Sequence, residues 1–572
     1  MAIIDAFKFD DNINNELKKV VHYGKEIGEN WPVVYLLNDS KEAYIGETHH
    51  AAVRMSQHLT NAAKRRLTDM RIITGSDFNK SVILDLEAFL IKHMSSDGKY
   101  KLLNGNHGLQ DHDYYQRSQY NETFRNIWNQ LRRENIVYHS ISEIENSTLY
   151  KYSPYKSLGT EQRQAEMEIL RVLAEGGDKG VGKTIVVKGG AGTGKTILAI
   201  YLMKLFADAN DSGTPGEELS DYVDEDIESV IASESIRGIN KIAIVMPQST
   251  LKESVIDVFK SIKGLNKKMV LSTTDVVDDY LATGEKFDLI IVDEAHRLKC
   301  RWNGHLSSYP KFDKCTKALG MERNEGNELD WIMKCSRNQI FFRDELQTVR
   351  PCDLTTEDFE IIMQENCSAP VVNLKLSSQW RCEGGDRYIK YIRSILSEMN
   401  PEPVHFDNYD FRLFDDVNEM VETIKEKDRE MGLCRNAAGY AWKWASKKDK
   451  TAYDIEIQGH KYRWNSTYKN WIASENSVNE IGCIHTLQGY DLNYVGLIIG
   501  KDIRYDPTAG RIVADKTQYC DQQGKSGVAD DTEQLTQYLK NIYLTLMTRG
   551  IKGTYIYICD DDLREYLRKY FI

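Results

Sequence analysis

Nowhere in the 572 residues is there a run of eighteen apolar side chains, so no segment reads as a helix able to cross the roughly 30 Å hydrocarbon layer of a bilayer. The opening MAIIDAFKFDDNINNELKK is not expected to act as a secretory signal either, because it is polar and acidic where such a signal is basic and then apolar. These two observations lead to the expectation of a cytoplasmic protein with no membrane partner. Cysteine is absent from the first half of the chain; all ten lie between Cys300 and Cys559, singly and without CxxC spacing. That excludes a zinc ribbon, an iron-sulfur cluster or a disulfide framework, and the thiols read as reduced and mostly buried. An excess of basic charge is missing too. A formal net charge of −12 repels polyanions at long range, so any nucleic acid must be met by local basic surface.

What is present is ordinary globular material, 41% hydrophobic and 28% charged, in a chain long enough for roughly two to four domains. Residues 1 to 30 read as a helical lead-in, 31 to 116 as a compact α/β unit, and 117 to 157 as a connector with one helix near 123 to 134. Beyond residue 158, β-branched strands such as TIVVKG, KIAIVMP, FDLIIVDEA, QIFFRDE, YVGLIIG and TYIYICD alternate with helical segments. Such alternation marks parallel sheets covered on both faces. Two sheets fit the length, one in 158 to 370 and one in 371 to 572. The first carries an acidic insertion at 208 to 235 without Lys or Arg, read as a solvated excursion or as a displaceable mimic of nucleic acid; the second carries a small insertion at about 410 to 475.

The strand from Thr184 to Lys188 runs into GGAGTGKT and then the apolar helical run ILAIYLMKLF. Gly189, Gly192 and Gly194 let backbone N–H groups turn inward around phosphates, Lys195 reaches the terminal phosphates, and Thr196 offers its hydroxyl to Mg²⁺. About a hundred residues later the strand LIIV ends in Asp293-Glu294-Ala295-His296. That spacing suits Asp293 to the magnesium shell and Glu294 to polarising the attacking water. Together the two motifs read as an NTPase.

Other segments, in order, resemble the motifs of superfamily 1 helicases. LGTEQRQA at 158 to 165 resembles the adenine-reading Q motif, with Gln162 as its base contact; IVMPQSTL at 244 to 251 resembles motif Ia, and FFRDELQTVRP at 341 to 351 resembles motif III, with Gln347 as γ-phosphate sensor. SSQWRCEGG at 377 to 385, IHTLQGYDLNYVGLII at 484 to 499 and YLTLMTRGIKGTYIYICD at 543 to 560 resemble motifs IV, V and VI, offering Arg381, Asp491 and Arg549. QWRC, HTLQGYD and LMTRGIKG are most similar to the bacterial Schlafen-type helicase group. The resemblance implies two RecA-like domains, ATP and Mg²⁺ as cofactors, and Arg381 and Arg549 as arginine fingers binding the equatorial oxygens of the transferred phosphoryl group. Asp491 stands where many members have Glu as a ribose contact, which leaves nucleotide selectivity open. AGYAWKW at 438 to 444 and HKYRWN at 460 to 465 interleave aromatic and basic residues, either to stack bases or to form the core of a small insertion.

WPVVYLLNDSKEAYIGET at 31 to 48 resembles the two-strand signature of GIY-YIG nucleases, with VVY in place of GIY. With NDSK as a four-residue hairpin loop, Tyr35 is expected to face Tyr44 across the pair. Arg54 and His58 lie four apart and project from one side of the next helix; Glu87 follows on a second helix, and Asn104 after that. The resemblance implies that Glu87 holds one divalent metal (Mg²⁺, with Mn²⁺ as an option), Arg54 pairs with the scissile phosphate, Tyr35 or His58 assists proton removal from water, and Tyr44 and Asn104 orient the phosphate and the local loop. The fold expected is therefore α/β, a small GIY-YIG nuclease domain followed by two RecA-like parallel-sheet domains. The expected partners are nucleic acid, DNA before RNA, and ATP, with a protein partner or a second copy left open. Family analogy suggests antiviral defence as the setting. The rival readings are an ATP-dependent remodeller whose first domain only docks, and an ATP-gated nucleic-acid sensor.

Overall fold

The computed structural model describes residues 2–105, 114–175, 181–190, 192–210, 230–231, 233–247, 249–301, 308–344, 352–367, 369–378, 382–467, 471–487, 490–522, 524–526, 528 and 530–572. The chain divides into two compact units: one holds residues 1–163, 200–240 and 255–267, the other 164–199, 241–254 and 268–572. Among the described residues no helix is long and apolar enough to cross a membrane.

The first unit contains a five-stranded sheet built from β1 (Ile3–Lys8), β2 (Val33–Asn38), β3 (Glu42–Thr48), β4 (Asp69–Thr74) and β5 (Lys101–Leu102). Its order is β1-β4-β2-β3-β5, antiparallel except where β5 joins β3. Every side chain of β2 is buried, as a strand with neighbours on both edges and cover on both faces requires. Val33, Tyr35 and Leu37 join Met70 and Ile72 of β4 and Met55 of helix α1 (Ala51–Thr60) in one apolar cluster. Residues 3–8, read from sequence as part of a helical lead-in, are instead the edge strand β1. Its partner in β4 lies more than sixty residues away, so local periodicity carries no sign of the pairing; a short helix, Ile13–Leu17, follows it.

Helix α2 (Lys80–Asp97) starts at an Asn79 cap that accepts from the Val82 amide and stops at Gly98, whose φ of 78° ends the helix in the left-handed region. The segment expected as a connector is largely helical. Its main helix, α3 (Tyr120–Arg133), sets Phe124 and Trp128 against Phe89 of α2, with ring centroids 5.5 and 6.3 Å apart. Most of the acidic insertion, 211–229 with 232, lies outside the described residues.

The second unit holds two parallel sheets. The first comprises β6 (Thr184–Gly189), β7 (Ile242–Val245), β8 (Val270–Leu271), β9 (Phe287–Val292), β10 (Ser336–Arg343) and β11 (Val372–Leu376), in the order β8-β7-β9-β10-β6-β11. The other comprises β12 (Asp410–Phe414), β13 (Cys434–Ala438), β14 (Ile481–Cys483), β15 (Leu492–Ile499) and β16 (Gly550–Ile558), in the order β12-β16-β15-β13-β14. Central strands such as β9 and β15 are apolar almost throughout because helices cover both faces.

The insertion expected at about 410 to 475 begins later than that. Residues 410–438 supply β12, the helix Val417–Met431 and β13 to the sheet itself. The strands are short and β12 is only half-buried, which weakens their signal in the sequence. Beyond β13, the small hairpin of Ile455–Ile457 and His460–Tyr462 stands apart. Trp464 is buried at its base with Tyr440 stacked 5.6 Å away, and Trp444 and Trp442 at 6.1 and 6.3 Å. Trp464 packs with Ile424, Cys434, Ile481 and Ile498 in an apolar cluster of the second parallel sheet, so this aromatic is core.

Candidate functional site

The phosphate loop follows β6 and leads into the helix Lys195–Ala209. Gly192 and Gly194 sit at φ of 81° and 80°, a region that side-chain-bearing residues enter at a cost, so the loop's path depends on glycine there. Ala191 lies outside the described residues. Lys195 Nζ donates to the carbonyls of Gly189 at 2.7 Å and Gly190 at 2.8 Å, folding the ammonium over the loop it would share with a phosphate.

Thr196 Oγ1 donates to Asp293 Oδ2 at 2.7 Å, bringing together residues 97 apart in sequence at the carboxyl ends of two parallel strands. Asp293 is fully buried, and its other oxygen, Oδ1, has no hydrogen-bond partner. An orphaned anionic oxygen at zero exposure is costly unless a cation meets it. Beside a threonine hydroxyl and a phosphate loop, this donor set fits Mg²⁺.

Burial and the adjacent Glu294 charge raise the Asp293 carboxyl above the usual range. Burial would raise Glu294 as well, but His296, Lys195 and Arg297 outweigh it and hold that carboxyl low. Glu294 also takes a left-handed backbone, φ 54° and ψ 44°, which turns the chain sharply after the strand.

The residues expected from the second sheet have different placements. Arg549 is buried; its Nη1 donates to the Tyr490 carbonyl at 3.4 Å, and its own carbonyl accepts from the Leu492 amide at 3.1 Å. Its guanidinium thus braces the motif V segment within its own sheet. Asp491 is partly buried beside it. Gln347 and Arg381 lie outside the described residues. Gln162 is buried in the first turn of the helix Thr160–Ala174, where its Oε1 accepts from the Gly159 amide at 2.9 Å.

In the first unit the hairpin register corrects one expectation. Tyr35 faces Gly46, and Tyr44 faces Leu37. The loop is tighter than four residues, because the Asp39 amide donates to the Glu42 carbonyl at 3.0 Å and the Asp39 carboxylate accepts from the Lys41 and Glu42 amides, both at 2.7 Å. Asp39 thus closes the turn around Ser40 and Lys41. A shift of two residues keeps each side chain on its original face, and the two rings remain neighbours at 6.2 Å. Gly46 leaves room for Tyr35: a Cβ there would meet the Tyr35 hydroxyl at 2.2 Å.

Tyr35, Tyr44, Arg54 and His58 come together on this face. The Tyr35 hydroxyl lies 2.7 Å from His58 Nε2 and accepts from Arg54 Nε at 3.4 Å, so its own proton points toward the imidazole. Burial, Lys64 and Arg54 push His58 down to about 2, leaving it neutral. Burial raises the Tyr35 phenol against the pull of Arg54. Lys64 Nζ sits 3.6 Å above the Tyr44 ring.

Glu87, on α2, is pushed up to about 8 by burial and by Glu47, against Lys80 and Arg54. Glu47 accepts from Lys80 Nζ at 2.5 Å through Oε1, while its Oε2 is buried without a hydrogen-bond partner. Among the described residues no cluster of three or more His, Cys, Asp or Glu is arranged to hold a metal. The fit here is to a cation held largely by one carboxylate, which would also relieve the raised Glu87. Asn104 grips β3, accepting from the Ile45 amide at 3.1 Å and donating to the Ile45 carbonyl at 2.7 Å.

Lys64 and Lys80 are among the basic residues that the sequence offers around this site, with KRR at 64 to 66; Glu47 in this cluster and the approach of His296 to Glu294 were missed. Glu47 sits three residues after Tyr44, inside the quoted signature, and was legible as an acidic neighbour, whereas the approach of His296 depends on tertiary packing.

A family profile described as "Schlafen group 3, DNA/RNA helicase domain" matches residues 182–560. The chain is also 28% identical over 401 residues to "Uncharacterized protein YPL245W" of Saccharomyces cerevisiae, covering 67% of this chain and 83% of that one. Among solved structures, the chain is similar to a Pif1 helicase from Bacteroides in complex with ADP-AlF3 and ssDNA (11% identity, 73% of this chain and 95% of that chain, TM-score 0.27). Another is Arterivirus nonstructural protein 10, a helicase (12% identity, 69% and 63%, TM-score 0.28). The profile runs through the phosphate loop, the acidic pair and every strand of both parallel sheets, more than half of the sequence, and the chain therefore belongs to the Schlafen group 3 DNA/RNA helicase domain family.

Proposed function

We propose that the chain is an ATP-dependent nucleic-acid motor joined to a metal-dependent nuclease that cuts phosphodiesters. The observation that carries the motor is the contact between Thr196 and Asp293, with a buried oxygen of Asp293 left for a cation. In this reading Gly189, Gly192, Gly194 and Lys195 cradle the triphosphate of ATP, Thr196 and Asp293 hold Mg²⁺, and Glu294 orients the attacking water. Gln162 reads the adenine, Asp491 the ribose, Gln347 the γ-phosphate, and Arg381 and Arg549 act on the transition state. The present bond between Arg549 and Tyr490 has to give way or be shared for that last role. Bound Mg²⁺ would supply charge neutralisation between the phosphates.

The nuclease reading rests on the hydrogen-bonded set Arg54, Tyr35 and His58. Tyr35 takes a proton from water as its own passes to neutral His58, Arg54 pairs with the scissile phosphate, and Tyr44 and Asn104 fix the strand and loop around it. Glu87 holds Mg²⁺ or Mn²⁺, which would supply Lewis acidity at the phosphate. The domains are then a GIY-YIG module at 31–116 and RecA-like domains at 158–370 and 371–572. DNA is the favoured substrate, and removal of foreign nucleic acid the favoured setting.

Labelled single-stranded, double-stranded and forked DNA and RNA, each with and without ATP and divalent metal, test both halves. ATP hydrolysis without movement along nucleic acid would favour a gated sensor. Cleavage unchanged by Glu87→Gln removes the nuclease.

A further inference from the structure

Cys300 and Cys352 face each other across a short antiparallel contact. Lys299 and Asp353 form an isolated antiparallel bridge, the Cys300 amide donates to the Cys352 carbonyl at 3.0 Å, and the Leu354 amide to the Leu298 carbonyl at 2.8 Å. In that register Leu298 stands opposite Leu354, and Cys300 opposite Cys352. Side chains of such a pair leave the ribbon on one side, with Cα atoms about 5.5 Å apart, inside the roughly 4.4–6.8 Å that a disulfide spans. Cys300 Sγ already reaches across, 3.4 Å from the Cys352 carbonyl oxygen. A separation of 52 residues hides the pairing from the sequence.

The register is pinned beside the two thiols. Arg297 Nη1 forms a buried ion pair with Asp353 at 2.8 Å. Leu298 and Leu354 are buried in one apolar cluster, and Cys300 packs against it. Exposure divides the pair: Cys300 is half-buried and Cys352 is buried. A reagent in solvent therefore meets Cys300 first, and Cys352 is placed to answer from within.

We infer that Cys300 and Cys352 are a modification site, a dithiol that a low-molecular-weight disulfide such as oxidised glutathione closes into a reversible bond. The Cys300 thiolate attacks one sulfur of the reagent, breaking its S–S bond and releasing one small thiolate. Cys352, deprotonated in turn, attacks Cys300 Sγ and expels the second. Two protein thiols are oxidised, the reagent is reduced to two thiols, and the cysteine protons end on the leaving sulfurs. The bond fastens the chain that follows the acidic pair to the foot of the helix Thr356–Asn366. It crosses a hydrogen-bonded residue pair, where a disulfide needs some give in the backbone, so small thiols reopen it. Nothing in this chemistry needs ATP or nucleic acid.

Incubation of the full chain with oxidised glutathione, followed by intact mass measurement and Asp-N digestion without reductant, reads the bond. The expected product is a monomer lighter by two hydrogen atoms, with two of its ten cysteines closed to alkylation after denaturation. Its digest should hold the peptides that begin at Asp293 and Asp344 joined together, and dithiothreitol should separate them. Cys352→Ser lacks the second thiol and should instead keep glutathione on Cys300. Cys300→Ser should take up about tenfold less at Cys352, because that thiol is buried. Melting curves of both variants control for folding.

A wild-type chain that carries glutathione on Cys300 and no internal bond would overturn the inference, because the facing thiol would then be out of reach. So would ten alkylatable thiols after treatment, a bond between other cysteines, or a disulfide-linked dimer in its place.

Discussion

Ser254 Oγ and the Tyr490 hydroxyl lie 3.1 Å apart and are both buried, so the N-terminal half of the helix Ser249–Ser261 touches the motif V segment directly. The Tyr490 carbonyl in turn accepts from Arg549. One tyrosine thus joins Ser254 to a candidate arginine finger. Tyr490→Phe removes the hydroxyl and keeps the ring. The expected result is an unchanged KM for ATP, basal hydrolysis within about twofold, and a loss of most nucleic-acid stimulation, because what goes is communication rather than the pocket. Stimulation equal to wild type in a titration with single-stranded DNA would assign the contact to packing alone.

The orphaned Asp293 oxygen makes a thermodynamic prediction that does not depend on turnover. Wild-type protein should melt higher with Mg²⁺ and a non-hydrolysable ATP analogue, by about 2.7 kcal/mol at a hundredfold excess over Kd. Asp293→Asn should lose most of that gain, whereas Glu294→Gln should keep it while hydrolysis falls about a hundredfold or more. Equal nucleotide-dependent stabilisation of Asp293→Asn and wild type, measured by differential scanning fluorimetry, would remove the carboxylate from the metal site.

How much of this could be read from the sequence depends on whether a feature is local. The phosphate loop and acidic pair lie at strand ends and were legible, because glycine spacing and an apolar run ending in Asp-Glu specify backbone geometry almost alone. The strand Ile3–Lys8 was not, since its partner is more than sixty residues away. The hairpin lay between: alternation gave the shared face of Tyr35 and Tyr44, but the Asp39 turn moved the register by two. His296 was visible only as the fourth letter after LIIV, and its contact with Asp344, 48 residues later, is a product of packing.

Glu87 links pH to stability. Burial and Glu47 raise its carboxyl from an ordinary value to about 8, so the native state holds a proton there that the unfolded chain releases. The native state binds more protons between the two values, and stability is lost as pH rises through that window. Glu87→Gln cannot ionise. Without divalent metal, its first melting transition should match wild type near pH 5 and exceed it by about 2–4 °C near pH 9. A wild-type transition no lower than the variant's at high pH would show that Glu87 ionises freely.

Gly46 is the residue opposite Tyr35 in the hairpin. Gly46 sits beneath the phenol, and a Cβ there would lie 2.2 Å from the hydroxyl oxygen and 2.4 Å from the ring carbon that bears it. Neither distance is tolerable. The ring is packed among Tyr44 at 6.2 Å and His58 at 5.4 Å, so Gly46→Ala must move either the ring or the strand. Overpacking of this kind costs about 1–3 kcal/mol, and the displaced hydroxyl would lose its 2.7 Å approach to His58. Cleavage should then fall as far as in Tyr35→Phe, while ATP hydrolysis, which depends on Lys195 and Asp293, stays at the wild-type level. Unequal losses have separate meanings: an active Gly46→Ala with an inactive Tyr35→Phe shows that the ring tolerates displacement, and the reverse shows that strand geometry matters more than the phenol. If both variants cut like wild type in a gel assay of labelled DNA, the proton path through Tyr35 and His58 is wrong.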